Sequence, residues 1–159
     1  MGDPNAVKID FKRAGPTDLD SVAALIKHYY AYDHIAYDET KVRQGLWKLL
    51  GNDSYGVAFF VEQNGSRIGY FIVTYAFDIE FGGVHAVLTD LFLNEQARRT
   101  GAGTRTLSFI ESLCRQAGIT ALLLQVETDN EEARAFYQKS GMITLTRHIL
   151  VKNLIGRST

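Results

Sequence analysis

A single cysteine, Cys114, leaves the chain without any internal disulfide, and this thiol falls on the apolar stripe of a helical pattern. The start of the chain carries no apolar signal region, and no run is long enough to span a bilayer, so a reducing cytoplasm is the expected setting. Charge of one sign is also lacking. Lys and Arg number 17 against 18 Asp and Glu, a net charge of −1, which excludes any global attraction to nucleic acid or to an anionic membrane. The four histidines and one cysteine lie in no metal-ligand spacing, so no metal is expected. Linkers, repeats and low-complexity runs are missing too. What remains is 159 residues, 46% of them hydrophobic, enough for one domain over 1–159 with an ordered core of about 8–152 that buries about 70% of its unfolded surface.

Periodicity divides the chain into elements. Ile9 to Ala14 reads as a strand. A helical stripe through Leu19, Val22, Ile26 and Tyr29 or Tyr30 follows, capped by Thr17 or Asp18, and a second helix runs from about Glu39 to Leu50. Val57 to Gln63 and Arg67 to Phe77 flank Asn64-Gly65, a hairpin signal, and a further strand runs from His85 to Leu93. An antiparallel meander is expected. Leu107, Ile110, Leu113, Cys114 and Ala117 then mark a helix that ends at Gly118, Ala121 to Val126 a buried strand, Glu131 to Ser140 a helix, and Ile143 to Lys152 a last strand. The expected fold is a mixed α/β sheet of six or seven strands with helices on both faces, the meander first and a β-loop-α-β unit after it.

Between Leu91-Phe92-Leu93 and the helix that begins near Thr104 lies Arg98-Arg99-Thr100-Gly101-Ala102-Gly103. Glycines 101 and 103 let backbone approach a ligand closely, while a helix start offers unpaired N–H groups and a positive dipole end, so phosphate or diphosphate is the natural guest. A P-loop would need Lys after its last glycine, and none follows Gly103. A dinucleotide fingerprint would need Gly or Ala where Thr106 stands, and would follow the first strand of its fold. An ordinary β-to-α turn with solvated arginines is the plain alternative.

The pattern Arg98-x-x-Gly101-x-Gly103 resembles the acetyl-CoA loop of the GCN5-related N-acetyltransferase superfamily. A second block, Asn130 followed by Ala133, Phe136-Tyr137 and Gly141-Met142, looks like that family's N-x-x-A-x-x-F-Y-x-x-x-G-F segment. Ile9 to Ala14 with Asp18-Leu19 resemble its opening strand and helix entry more weakly, so nearly the whole chain is covered. The resemblance implies an acetyl-CoA-dependent N-acetyltransferase, with homodimers frequent among relatives. It also implies main-chain pairing of Leu91, Phe92 and Leu93 with the pantetheine arm, diphosphate binding by Arg98, Arg99, Thr100, Gly101, Ala102, Gly103 and Thr104, and cofactor contacts from Asn130 and Arg134.

Acetyl transfer also needs help for the departing thiolate, and Tyr137 stands where the family has its general acid. Without the motif, Tyr137 would read as an amphipathic core tyrosine, and Asn130 as a helix cap. The acceptor nitrogen must lose its proton: an alkylamine of pKa about 10.4 is neutral to about one part in two thousand at pH 7, a penalty of roughly 4 to 5 kcal/mol. Many relatives, including the diamine and polyamine branch that Thr89-Asp90-Leu91-Phe92-Leu93 also resembles, carry Glu-Asp in this strand, and here Thr89 takes the Glu place. Threonine is no base. Alternation puts Asp90 on the opposite face from Thr89 unless a bulge redirects it, so Asp90, His85, Glu80 and Glu127 all stay open as the base, with Asp90 preferred. For the acceptor pocket the tract from His28 to Asp38 is dense in rings and acids, which suits a cation, and Tyr32, Asp33, His34, Tyr37 and Thr89 are its expected contacts. A small amine, more narrowly a diamine or polyamine, is the expected acceptor. A CoA-binding sensor without catalysis, and an acetyltransferase acting on protein lysines or N-termini, are the alternatives.

Overall fold

The computed structural model describes residues 7–155, so residues 1–6 and 156–159 of the expected domain lie outside the described residues. The chain groups into two compact units, Met1–Gln125 and Val126–Thr159. The first holds a five-stranded sheet in the order β1-β2-β3-β4-β5: β1 (Ile9–Arg13), β2 (Gly56–Gln63), β3 (Ser66–Asp78), β4 (Gly83–Leu93) and β5 (Leu122–Leu124). β1 to β4 pair antiparallel as the expected meander, turning between β2 and β3 at Asn64 and Gly65, both at positive φ, and β5 runs parallel to β4. Parallel pairing needs a crossover, which α3 (Ala102–Gln116) supplies.

Strand alternation sends one set of side chains to each face, and helices cover both. Phe11, Phe59 and Phe71 pack on Phe109 of α3, with ring centroids 4.2, 5.4 and 6.1 Å away. On the opposite face Phe60, Tyr70, Ile72 and Phe92 form one buried cluster with Val22 and Ile26 of α1 (Leu19–Tyr32) and with Leu46 and Leu50 of α2 (Glu39–Gly51). Close approach of β3 to β4 requires glycine at 69, because a Cβ there would lie 1.9 Å from the Phe92 carbonyl oxygen. Among the described residues no helix is long and apolar enough to cross a membrane.

The second unit contains α4 (Glu131–Lys139), started by Asn130, whose side chain accepts a hydrogen bond from the Ala133 N–H at 3.1 Å. Two acidic residues in its first turn and Lys139 in its last complement the helix dipole.

The expected last strand, Ile143 to Lys152, is not formed, so the described sheet has five strands rather than six or seven. Its residues have the alternation of a strand but no ladder, and Ile143 and Leu150 are 83% and 91% exposed. β-propensity marks a segment fit for pairing; a strand exists only where a neighbour supplies the hydrogen bonds. β5 is likewise shorter than the expected Ala121 to Val126, because its partner residues on β4 are only Ala86 to Leu88.

Candidate active site

β4 departs from regular pairing at one residue. Leu88 lies opposite Val73 and Asp90 opposite Ile72, which leaves Thr89 as the extra residue of a bulge. Directly opposed residues share a face, so Leu88 joins Val73 on the α3 side, whereas Asp90 joins Ile72 on the side of α1 and α2. Regular alternation would have put Leu88 and Asp90 on one face. The bulge therefore delivers Asp90 to the side that alternation alone assigns to position 89, and Thr89 is left exposed with its hydroxyl donating to the Ile72 carbonyl at 3.3 Å.

Asp90 sits among rings. The Tyr70 hydroxyl donates to Asp90 Oδ2 at 2.7 Å, and the Tyr29 ring lies 6.4 Å from Tyr70 and 5.7 Å from both Tyr30 and Phe92. Burial pushes the Asp90 carboxyl above its usual range, against the opposing pull of the Tyr70 and Thr89 hydroxyls. Burial and the Asp90 charge also raise Tyr30 and, much further, Tyr70, so both phenols stay neutral donors. No basic side chain among the described residues forms an ion pair with Asp90. Such a carboxylate, half-buried beside aromatic faces, is a site for a cation that can also give up a proton.

The rest of the expected acceptor tract is partly engaged. Tyr32 ends α1 with the Arg98 guanidinium 4.0 Å above its ring, and Lys27 Nζ lies 5.6 Å from the Tyr37 ring, so each of these rings already has a cation from the chain itself. Asp38 caps α2 by accepting from the Lys41 N–H, and Asp33 closes α1 through its own N–H to the Tyr29 carbonyl. His34 is exposed at φ 56°, a left-handed turn position. Of the other candidate bases, His85 is buried with no partner for Nδ1 among the described residues, Glu80 sits in a short 3-10 turn, and Glu127 is exposed.

The glycine loop turns through two left-handed residues, Arg99 at φ 60° and Gly101 at φ 85°, the latter serving as N-cap of α3. Among the described residues no side chain caps this helix end, and a Cβ built on Gly101 would meet none of them within 4 Å beyond its chain neighbours and the helix's own backbone. Open space over unsatisfied N–H groups is what an anion requires. Ala102 is buried, so only its main chain can face a ligand, and Thr104 is exposed. Thr100 braces the turn by donating to the Ala97 carbonyl at 2.6 Å. Upstream, β5 ends its pairing at Leu88, and among the described residues no strand pairs with that edge of β4 from Thr89 to Leu93. Since the Phe92 carbonyl points to β3, alternation aims the Leu91 and Leu93 main-chain groups at the open edge, where Arg98 Nε donates to the Leu93 carbonyl at 3.0 Å. The Phe92 side chain is core. Donor loop and open edge together fit a diphosphate attached to an amide-bearing arm.

In the second unit, Tyr137 is half-buried on α4, and burial pushes its phenol up to about 12. Arg134 Nη1 donates to the Thr128 carbonyl at 3.0 Å, with Nη2 4.0 Å from Glu131. Asn130 is the helix cap already described.

Tyr70 was not singled out from the sequence. Alternation in β3 marks it as inward-facing, but its partnership with Asp90 depends on the bulge, for which the residues around Thr89 carry no local signal.

A family model described as Acetyltransferase (GNAT) family matches residues 19–142. The Bacillus subtilis (strain 168) protein named uncharacterized N-acetyltransferase YhfO is 30% identical over 133 residues, covering 84% of this chain and 89% of its own. Among solved structures, a possible acetyltransferase from Clostridium difficile 630 superposes with a TM-score of 0.80 at 19% identity, covering 93% of this chain and 99% of its own. An aminoglycoside N-acetyltransferase in complex with CoA gives 0.79 at 15% identity, over 97% and 100% of the two chains. Both share the fold.

Proposed function

The chain belongs to the acetyltransferase (GNAT) family and is an acetyl-CoA-dependent N-acetyltransferase; on that footing we propose that it acetylates a primary amine of a small molecule, with Asp90 as the base. The observation that carries this reading is the bulge at Thr89, which sets a carboxylate against Tyr70 in a ring-lined site where no basic side chain among the described residues pairs with it. Acetyl-CoA supplies an activated thioester when bound. The N–H groups of Gly101 to Thr104 hold its diphosphate, with Arg98 and Arg99 adding charge, and the open edge at Leu91 and Leu93 orients the arm. Asp90 attracts the ammonium form of the acceptor and takes its proton, the raised carboxyl pKa making it a better base than a solvated aspartate. Tyr70 holds that carboxylate in place through its hydroxyl.

Tyr137 donates a hydrogen bond to the sulfur as it leaves. With the phenol near 12 and a thiol near 8.5, full proton transfer would be uphill by about 5 kcal/mol, so stabilisation comes from the hydrogen bond itself. Asn130 and Arg134 contribute cofactor contacts in the same reading. A diamine or polyamine is the narrower acceptor, its second ammonium meeting the exposed carboxylate of Asp33 at the end of α1, with Tyr32, His34, Tyr37 and Thr89 bordering the entrance. A reducing cytoplasm suits the free Cys114 thiol, and a homodimer rests on the family resemblance.

A panel of small amines, polyamines, aminoglycosides, amino acids and peptides, assayed for thiol release from acetyl-CoA, tests the proposal. Turnover on small amines, with peptides at least tenfold poorer in kcat/KM, is expected. CoA binding without turnover on any member would make the protein a non-catalytic CoA-binding module instead.

A further inference from the structure

Arg98 belongs to the glycine-loop motif, yet its side chain is committed to the other half of the site. Its Nε donates to the Leu93 carbonyl at 3.0 Å, which fixes the guanidinium beside the open edge of β4. From there its Cζ stands 4.0 Å above the ring of Tyr32 and 5.8 Å from that of Phe92. Tyr32 is the last residue of α1 and 54% exposed, so this cation is a principal contact of its ring. The contacts then continue inward. Phe92 lies 6.4 Å from Tyr32 and 5.7 Å from Tyr29, Tyr29 lies 6.4 Å from Tyr70, and Tyr70 holds Asp90. Every residue of this chain of contacts lies within the first compact unit.

The planar guanidinium can stack on an aromatic face while its edge N–H groups remain directed outward, which a lysine ammonium cannot do. No acidic side chain among the described residues forms an ion pair with Arg98, so its charge is available to a diphosphate in the adjoining loop. We propose that Arg98 is a positioning residue that couples the two half-sites: seated on Tyr32, it holds the end of α1 against the coenzyme loop, so that CoA affinity depends on a ring of the acceptor wall. This rests on the coenzyme reading above and adds to it a residue, Tyr32, that the loop motif does not contain. By linkage, an acceptor that orders the end of α1 strengthens CoA binding, and CoA in turn prepares the acceptor wall.

Titration of CoA into wild type, Tyr32→Leu, Tyr32→Phe, Arg98→Gln and the double variant Tyr32→Leu/Arg98→Gln tests the coupling, with thermal melts run alongside. Tyr32→Leu is expected to weaken CoA binding about three- to tenfold, Tyr32→Phe to stay within twofold of wild type because the ring face is retained, and the leucine change to have no further effect once Arg98 is Gln. A purely structural role for Tyr32 would instead weaken binding by the same factor in both Arg98 backgrounds, and that result overturns the coupling. So does unchanged affinity in Tyr32→Leu, while leaving the coenzyme reading intact. Failure of wild type to bind CoA would bring down the coenzyme reading and the coupling together.

Discussion

Replacing Asp90 by Asn is expected to lower kcat/KM by about 10² to 10⁴ at pH 7 with the best acceptor, while raising the melting temperature. The two effects share one cause. Burial holds the folded-state carboxyl pKa above its unfolded value, so the folded chain binds more protons than the unfolded one between those values, and stability falls as pH rises through that interval. Above the folded-state pKa the penalty is fully present in wild type, and it is absent in the Asn variant, whose side-chain oxygen can still accept from Tyr70. The stability gap should therefore close as pH drops below about 4. Rates carry a second signature: without its base the variant depends on free amine, so its rate should climb about tenfold per pH unit towards pH 10, where wild type has levelled off. Activity within threefold of wild type would remove Asp90 from the mechanism.

Tyr137→Phe removes one hydroxyl and little volume. Turnover is expected to fall by about 10² to 10³ with the Kd for acetyl-CoA within twofold of wild type, because the phenol acts on charge that develops during transfer rather than on the bound thioester. A folded-state pKa of about 12 keeps Tyr137 protonated across the accessible range, so the wild-type rate should show no alkaline fall from this group below about pH 11. A kcat reduced by less than threefold, or a fall in acetyl-CoA affinity that matches the loss in rate, would make Tyr137 a packing residue.

Local patterns are legible in the residues themselves. The meander was readable because Asn64-Gly65 sets a turn between two alternating runs, and the loop because Gly101 and Gly103 meet a helix start. The block from Asn130 to Met142 marked α4 and its cap. What the sequence leaves open depends on partners distant along the chain. The side chain of Asp90 changes face through a one-residue offset against Ile72 and Val73, and no run of residues near Thr89 announces it. Tyr70 looks like one more core ring of β3 until that offset brings Asp90 beside its hydroxyl. The segment 143–152 carried the alternation of a strand without a neighbour to complete it. Tyr32 and Tyr37 read from the sequence as acceptor contacts, and Arg98 and Lys27 already lie against their rings.

In the proposed mechanism the main chain around Gly101 holds the coenzyme diphosphate beside the open edge of β4. A crystal structure of the protein with CoA tests it most directly. Phosphate oxygens are expected within about 3.2 Å of N–H groups between Gly101 and Thr104, and pantetheine amides paired with Leu91. Phosphates bound elsewhere on the chain, with this loop empty, would contradict it.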